Sequence, residues 1–334
     1  AHSMYIAVAG VAARPRAEAL LNFARTIAQD HGGALEQVGN EIAVRIHHML
    51  YGEFEPCVSN YKQLIAEFGS LAPRETWIRH FAQSVHARAL AELGEWKEHA
   101  HMLDVLIPAA EQRGDRYQAN VLRGFYGYYR WLRLDQTDEA KKELALARDL
   151  WPHKAFNAQT LAAEQGLVQV YAYEEDFERA LDLALRLRRQ MGRSSLRFQE
   201  ITSVSLDYII GCCAIALARA SEARRSNGLL IARQVLKRMK TVPTDYARCS
   251  CALVEAGLLH LKGQSKGAEQ ALLSAAQLGA KSGRAFQASS ARYALARLRG
   301  QNQASAESAE LGNLRDQGVV APARVAQLFC PGFS

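Results

Sequence analysis

The chain has 334 residues, 49% of them apolar and only 8 of them proline, and carries a formal net charge of +7. This balance excludes a disordered segment, and abundant Ala, Leu, Arg, Glu and Gln beside scarce Val-Ile-Thr alternation exclude a sheet-rich fold. No run of 18 consecutive apolar residues occurs and the first residues lack signal-peptide order, so no membrane association is expected; 6 cysteines without a CxxC pair fit a reduced, cytoplasmic setting.

In chain order, Ala1-His2-Ser3 before Met4 reads as the remnant of an expression tag. Helical periodicity follows and is punctuated by a recurring phrase. "YGEF" (51–54) and "LGEW" (93–96) each precede an amphipathic run of about five turns, and degenerate copies follow at "LDQT" (134–137), "EEDF" (174–177) and "KGQS" (262–265). Anchored on Gly52, Gly94, Asp135, Glu175 and Gly263, the steps are 42, 41, 40 and 88 residues, the last being two periods. A sixth, weaker copy is expected near 218–222, where two helical runs are interrupted. Five residues beyond the anchors stand Cys57, His99, Ala140, Ala180 and Ala268, small residues suited to close helix contact, with His99 the exception.

A short turn between two helices makes an antiparallel pair, and such a pair buries its apolar faces only by stacking on the next. The expectation is therefore an all-α, tetratricopeptide-like α-solenoid, a right-handed superhelix of six to seven antiparallel helix pairs. The array spans 4–300, with turns near 52, 94, 135, 175, 219 and 263. A C-terminal linker and capping helix follow at 301–334.

The Gly-Glu-aromatic turn followed by a small residue resembles the tetratricopeptide repeat, although Asp135 and Glu175 replace the turn glycine and Thr137 and Ser265 replace the aromatic. The C-terminus carries a second resemblance. Gln317, Gly318, Pro322, Arg324, Leu328, Pro331, Gly332 and Phe333 form the pattern "QGVxxPxRxxxLxxPGF". Residues 220–334 resemble the tail of large bacterial signalling proteins that join a serine/threonine kinase, a signal-transducing P-loop ATPase module and tetratricopeptide repeats. The resemblance implies a tail that senses or docks for such a parent chain. Kinase signatures and a GxxxxGK[ST] loop are missing from this sequence, so it is expected to be non-catalytic.

No residue pattern points to catalysis, a metal or a cofactor. His80 and His86 are six apart and His99 and His101 two apart, so neither pair shares a helix face as metal ligands do. Neighbouring cysteines such as Cys249 and Cys251 read as buried thiols. Aligning the repeats on their turns selects a concave strip made of Ser84, Arg88, Phe125, Tyr129, Arg133, Gln165, Gln169 and Tyr173. Aromatics beside Arg and Gln suit a bound peptide, offering rigid apolar area, cation–π contact and amide hydrogen bonds. Phe125, Tyr129 and Arg133 are expected on successive turns of one helix, with Tyr129 exposed. The expected partners are a protein or peptide ligand and other domains of a parent chain. A small-molecule sensor resembling transcription activators is the alternative. Residues 221–300 hold 14 basic against 4 acidic residues, which raises weak, non-specific nucleic-acid binding as a third, less favoured reading.

Overall fold

Helical spacing of the apolar residues is answered by nineteen α-helices and no strand among the described residues, which are 10–74, 76–151 and 155–333 of a computed structural model. The tag remnant lies outside them. The helices are α1 (Arg14–Asp30), α2 (Ala34–Leu50), α3 (Glu55–Val58), α4 (Tyr61–Leu71), α5 (Thr76–Leu93), α6 (Trp96–Gln112) and α7 (Arg116–Gly124). Next come α8 (Tyr129–Leu132), α9 (Thr137–Leu150), α10 (Ala158–Tyr173), α11 (Phe177–Gly192), α12 (Glu200–Ala220) and α13 (Glu222–Met239). The chain ends with α14 (Asp245–Leu261), α15 (Ser265–Lys281), α16 (Ala285–Leu298), α17 (Gln303–Glu310), α18 (Gly312–Asp316) and α19 (Pro322–Phe329).

Each anchor residue reverses the chain by one device. Gly52, Gly94, Asp135, Glu175 and Gly263 all have positive φ, between 59° and 87°. At each, the next amide bonds back five residues to the helix just ended, as in Glu95 N to Leu90 O (2.9 Å) and Asp176 N to Tyr171 O (2.9 Å). This left-handed cap satisfies carbonyls that the helix end would leave unpaired. Glycine is needed for a second reason at two of these turns. A Cβ on Gly52 would lie 2.7 Å from Tyr246, and one on Gly94 would lie 2.8 Å from the Phe286 ring. Asp135 and Glu175 keep side chains in the same conformation, and Asp135 accepts from the Tyr173 hydroxyl (2.8 Å). Near 221 the reversal is different: Ser221 is extended and alone separates α12 from α13.

The residues five beyond the anchors are all fully buried, including His99. The first helices of successive hairpins contact one another, α2 on α5, α5 on α7, α7 on α10, α10 on α12 and α12 on α14. One apolar core runs through them from Val38 to Phe333. The run after Gly52 is not the single helix expected. It breaks between α3 and α4 at Asn60, which adopts a left-handed conformation (φ 52°) that Asn tolerates better than most residues.

Residues 301–333 form a clasp rather than a linker. Gln317 accepts from the Lys97 amide (3.1 Å) and donates to Glu95 (2.9 Å), at the turn after Gly94. The Val320 amide donates to the Arg133 carbonyl (2.9 Å). Arg324 pairs with Asp135 (2.5 Å), donates to the Tyr173 carbonyl (3.0 Å) and lies over the Tyr173 ring. Pro322 opens α19, and Phe333 stacks on His260 (4.7 Å). Residues of the C-terminal pattern thus tie the end of the chain to turns of its first half.

By length and mean hydropathy (1.8), α12 passes the test for a membrane-crossing helix, but 83% of its apolar window is buried among neighbouring helices. Its apolarity is that of a central core helix.

Candidate functional site

Ser84, Arg88 and Glu92 recur every four residues and so share one face of α5. Ser84 and Arg88 on this face line a cavity of about 240 Å³. The other walls are the end of α2 (Met49, Leu50), the stretch after α7 (Phe125, Tyr126, Tyr128), α10 (Leu161, Gln165) and α12 (Thr202, Ser205). Half-buried Phe81, Tyr117, Gln159 and Gln199 also line it.

The wall at 125–128 exists because the helix stops there. Tyr126 holds φ at 69°, and a Cβ on Gly127 would sit 2.5 Å from the Arg123 carbonyl oxygen, so only glycine fits the turn. A left-handed tyrosine costs on the order of 1–2 kcal/mol. In that position the Tyr126 hydroxyl donates to Glu92 (2.7 Å).

Beneath the cavity lies a buried charge cluster. Glu92 also faces the Tyr246 hydroxyl (3.5 Å) and Arg284 (3.9 Å). Arg284, fully buried, lies over the Tyr246 ring (4.2 Å) and donates to Ser250 (3.1 Å). Arg88 sits 6.0 Å from the Tyr126 ring centre and its Nε has no hydrogen-bond partner. Burial works against the Arg88 charge, but Tyr126, Glu92 and Tyr246 outweigh it and hold its pKa above the ordinary arginine value. Burial, reinforced by Glu92, pushes Tyr126 well above the usual phenol value, so it stays a donor.

The eight residues of the expected strip divide into three groups. Ser84, Arg88, Phe125 and Gln165 line the cavity, with Gln165 donating to Ser205 (2.8 Å). Tyr129 and Gln169 are buried in the core; the Tyr129 hydroxyl donates to Gln169 (2.8 Å) and its ring stacks on Trp96 (4.3 Å). The expectation that Tyr129 is exposed is therefore corrected. Arg133 and Tyr173 are covered by the C-terminal clasp, Arg133 beside Gly318 and Tyr173 bonded to Asp135 (2.8 Å) beneath Arg324. Phe125, Tyr129 and Arg133 do not share a helix, because the turn at Tyr126-Gly127 separates α7 from α8. Glu92, Tyr126, Thr202 and Ser205 were missed. The Arg88/Glu92 spacing and the glycine pair in "GFYG" were the signals available.

Other groups singled out in the sequence have partners elsewhere. His80 bonds Asp115 (2.8 Å), His48 bonds Glu53 (2.6 Å) and His86 stacks on Tyr61. All six cysteines are free and buried. Much of the basic charge is paired internally, Arg224 with Glu178, Arg225 with Glu222, Arg238 with Asp207, Lys240 with Glu255 and Lys281 with Asp245. Compared with models of known protein families and with curated proteins, the chain matches none.

Proposed function

We propose that the chain is a binding module that holds a metabolite-sized ligand inside a tetratricopeptide-like stack of hairpins, acting as a sensor rather than a catalyst. The observation that carries this reading is the cavity shared by α2, α5, α10, α12 and the turn after α7. A ligand there bridges successive layers, so its occupancy biases their relative orientation, which is the requirement for a sensor. At about 240 Å³ the cavity is smaller than the ~300–1,000 Å³ of common drug-sized sites. That favours a small molecule over a peptide, as does the cover that the clasp puts over Arg133 and Tyr173. The lining of aromatic, amide and hydroxyl groups offers recognition without an evident nucleophile–base pair. The C-terminal resemblance supports placing this sensor in a bacterial kinase or ATPase regulator in the cytoplasm.

Titration with the neutral fluorescent probe N-phenylnaphthylamine tests the reading. The wild-type protein should bind it, and Ala162→Trp, which fills the cavity from α10, should weaken binding about tenfold or more while leaving the melting temperature nearly unchanged. Equal binding by the filled variant would overturn the assignment.

A further inference from the structure

Arg88 is the one charged side chain among the described residues that line the cavity. Its natural partner is Glu92, one turn further along α5, but that carboxylate is turned to Tyr126, Tyr246 and Arg284. Among the described residues no carboxylate forms an ion pair with Arg88 within 4.0 Å. Tyr126 and Glu92 offset the burial of half-buried Arg88 without a direct ion pair, so an anion in the cavity would add the close opposite charge that the guanidinium lacks. The cavity supplies access to that group together with apolar and aromatic walls at Phe81, Phe125 and Leu161.

We propose that the cavity binds a small amphipathic monoanion, a carboxylate or sulfonate on an aromatic or aliphatic body, with Arg88 as its counter-charge. This rests on the reading of the cavity as the site. The guanidinium presents paired N–H donors that match a planar carboxylate. Ser84, one turn earlier on the same face, and Thr202 also line the cavity, but their hydroxyls already donate to the His80 carbonyl (3.0 Å) and to Gln199 (3.1 Å), so the head group relies on Arg88. A single arginine balances one negative charge, so a phosphate dianion is the poorer fit.

The test compares two probes that share one ring system, anilinonaphthalene sulfonate and neutral N-phenylnaphthylamine, in wild type, Arg88→Met, Arg88→Lys and Ala162→Trp. The sulfonate should bind wild type about tenfold or more tightly than the amine. Arg88→Met should abolish that preference with amine binding retained, Arg88→Lys should keep part of it, and Ala162→Trp should lose both probes. Equal binding of the two probes to wild type overturns the anion inference and leaves the cavity reading intact. A preference that survives in Arg88→Met overturns it as well, by placing the anion elsewhere. If Arg88→Met does not fold, Arg88→Lys decides: a preference reduced below that of wild type supports the assignment, and a preference undiminished in Arg88→Lys or absent from wild type overturns it. Binding of both probes that is indifferent to Ala162→Trp overturns the cavity and the anion together.

Discussion

Three buried carboxylates show two opposite ways of handling charge. Asp207 on α12 is gripped by Arg188 (Nε, 3.0 Å) and by Arg238 (Nε, 2.9 Å; Nη2, 2.6 Å). Glu143 on α9 repeats the arrangement with Arg123 and Arg130, both at 2.8 Å. Glu92 on α5 instead takes hydroxyls from Tyr126 and Tyr246 and has Arg284 only at 3.9 Å, while Arg88 points to the cavity without an ion pair. The first two clusters are closed, every carboxylate oxygen matched by a guanidinium. The third is open on the side of the cavity. Charge that is saturated holds helices together; charge left over beside a cavity is available to a ligand.

The comparison breaks most visibly at Asp207. Asp207→Ala leaves Arg188 and Arg238, both partly open to solvent, without their carboxylate and should cost about 3 kcal/mol, read by urea denaturation. Tyr129→Ala should follow at about 3 kcal/mol, because it opens a cavity beside Trp96 and leaves Gln169 unpaired in the core. A loss near zero would return Tyr129 to an exposed surface.

His99 adds a pH dependence. Burial pushes its pKa down from 6.5 to about 3, so the fold holds the ring neutral. The unfolded chain takes up the proton first as pH falls, so this contribution is complete above about 6.5 and is lost progressively toward about 3. The slope is up to ~1.4 kcal/mol per pH unit, and His99→Leu should flatten it in denaturation series at several pH values.

Arg88→Met sits at the small end and sharpens the contrast. Replacing an arginine that has no carboxylate partner should shift stability by no more than about 1 kcal/mol, or raise it slightly. A loss as large as that for Asp207→Ala would make Arg88 a structural tie.

The all-helical fold was legible because composition and period act locally. The repeated phrase was visible for the same reason: each copy ends a helix with a left-handed residue, and Gly52, Gly94 and Gly263 advertise that conformation. The site was legible only in part. Four of the eight residues selected by alignment of the repeats, Ser84, Arg88, Phe125 and Gln165, line the cavity. Tyr129 misled because helical spacing cannot register a break at Tyr126-Gly127, and Gln169 because its partner is Tyr129, forty residues away. Arg133 and Tyr173 misled because nothing near them in sequence announces that residues 318–324 will cover them. Glu92 went unread for a related reason: its partners Tyr246 and Arg284 lie more than 150 residues away.

A crystal structure of the complex with anilinonaphthalene sulfonate tests the central claim most directly. The account predicts the sulfonate within ion-pair distance of the Arg88 guanidinium and the rings between Phe81, Phe125 and Leu161. A probe bound on the outer helices, with Arg88 untouched, would contradict it.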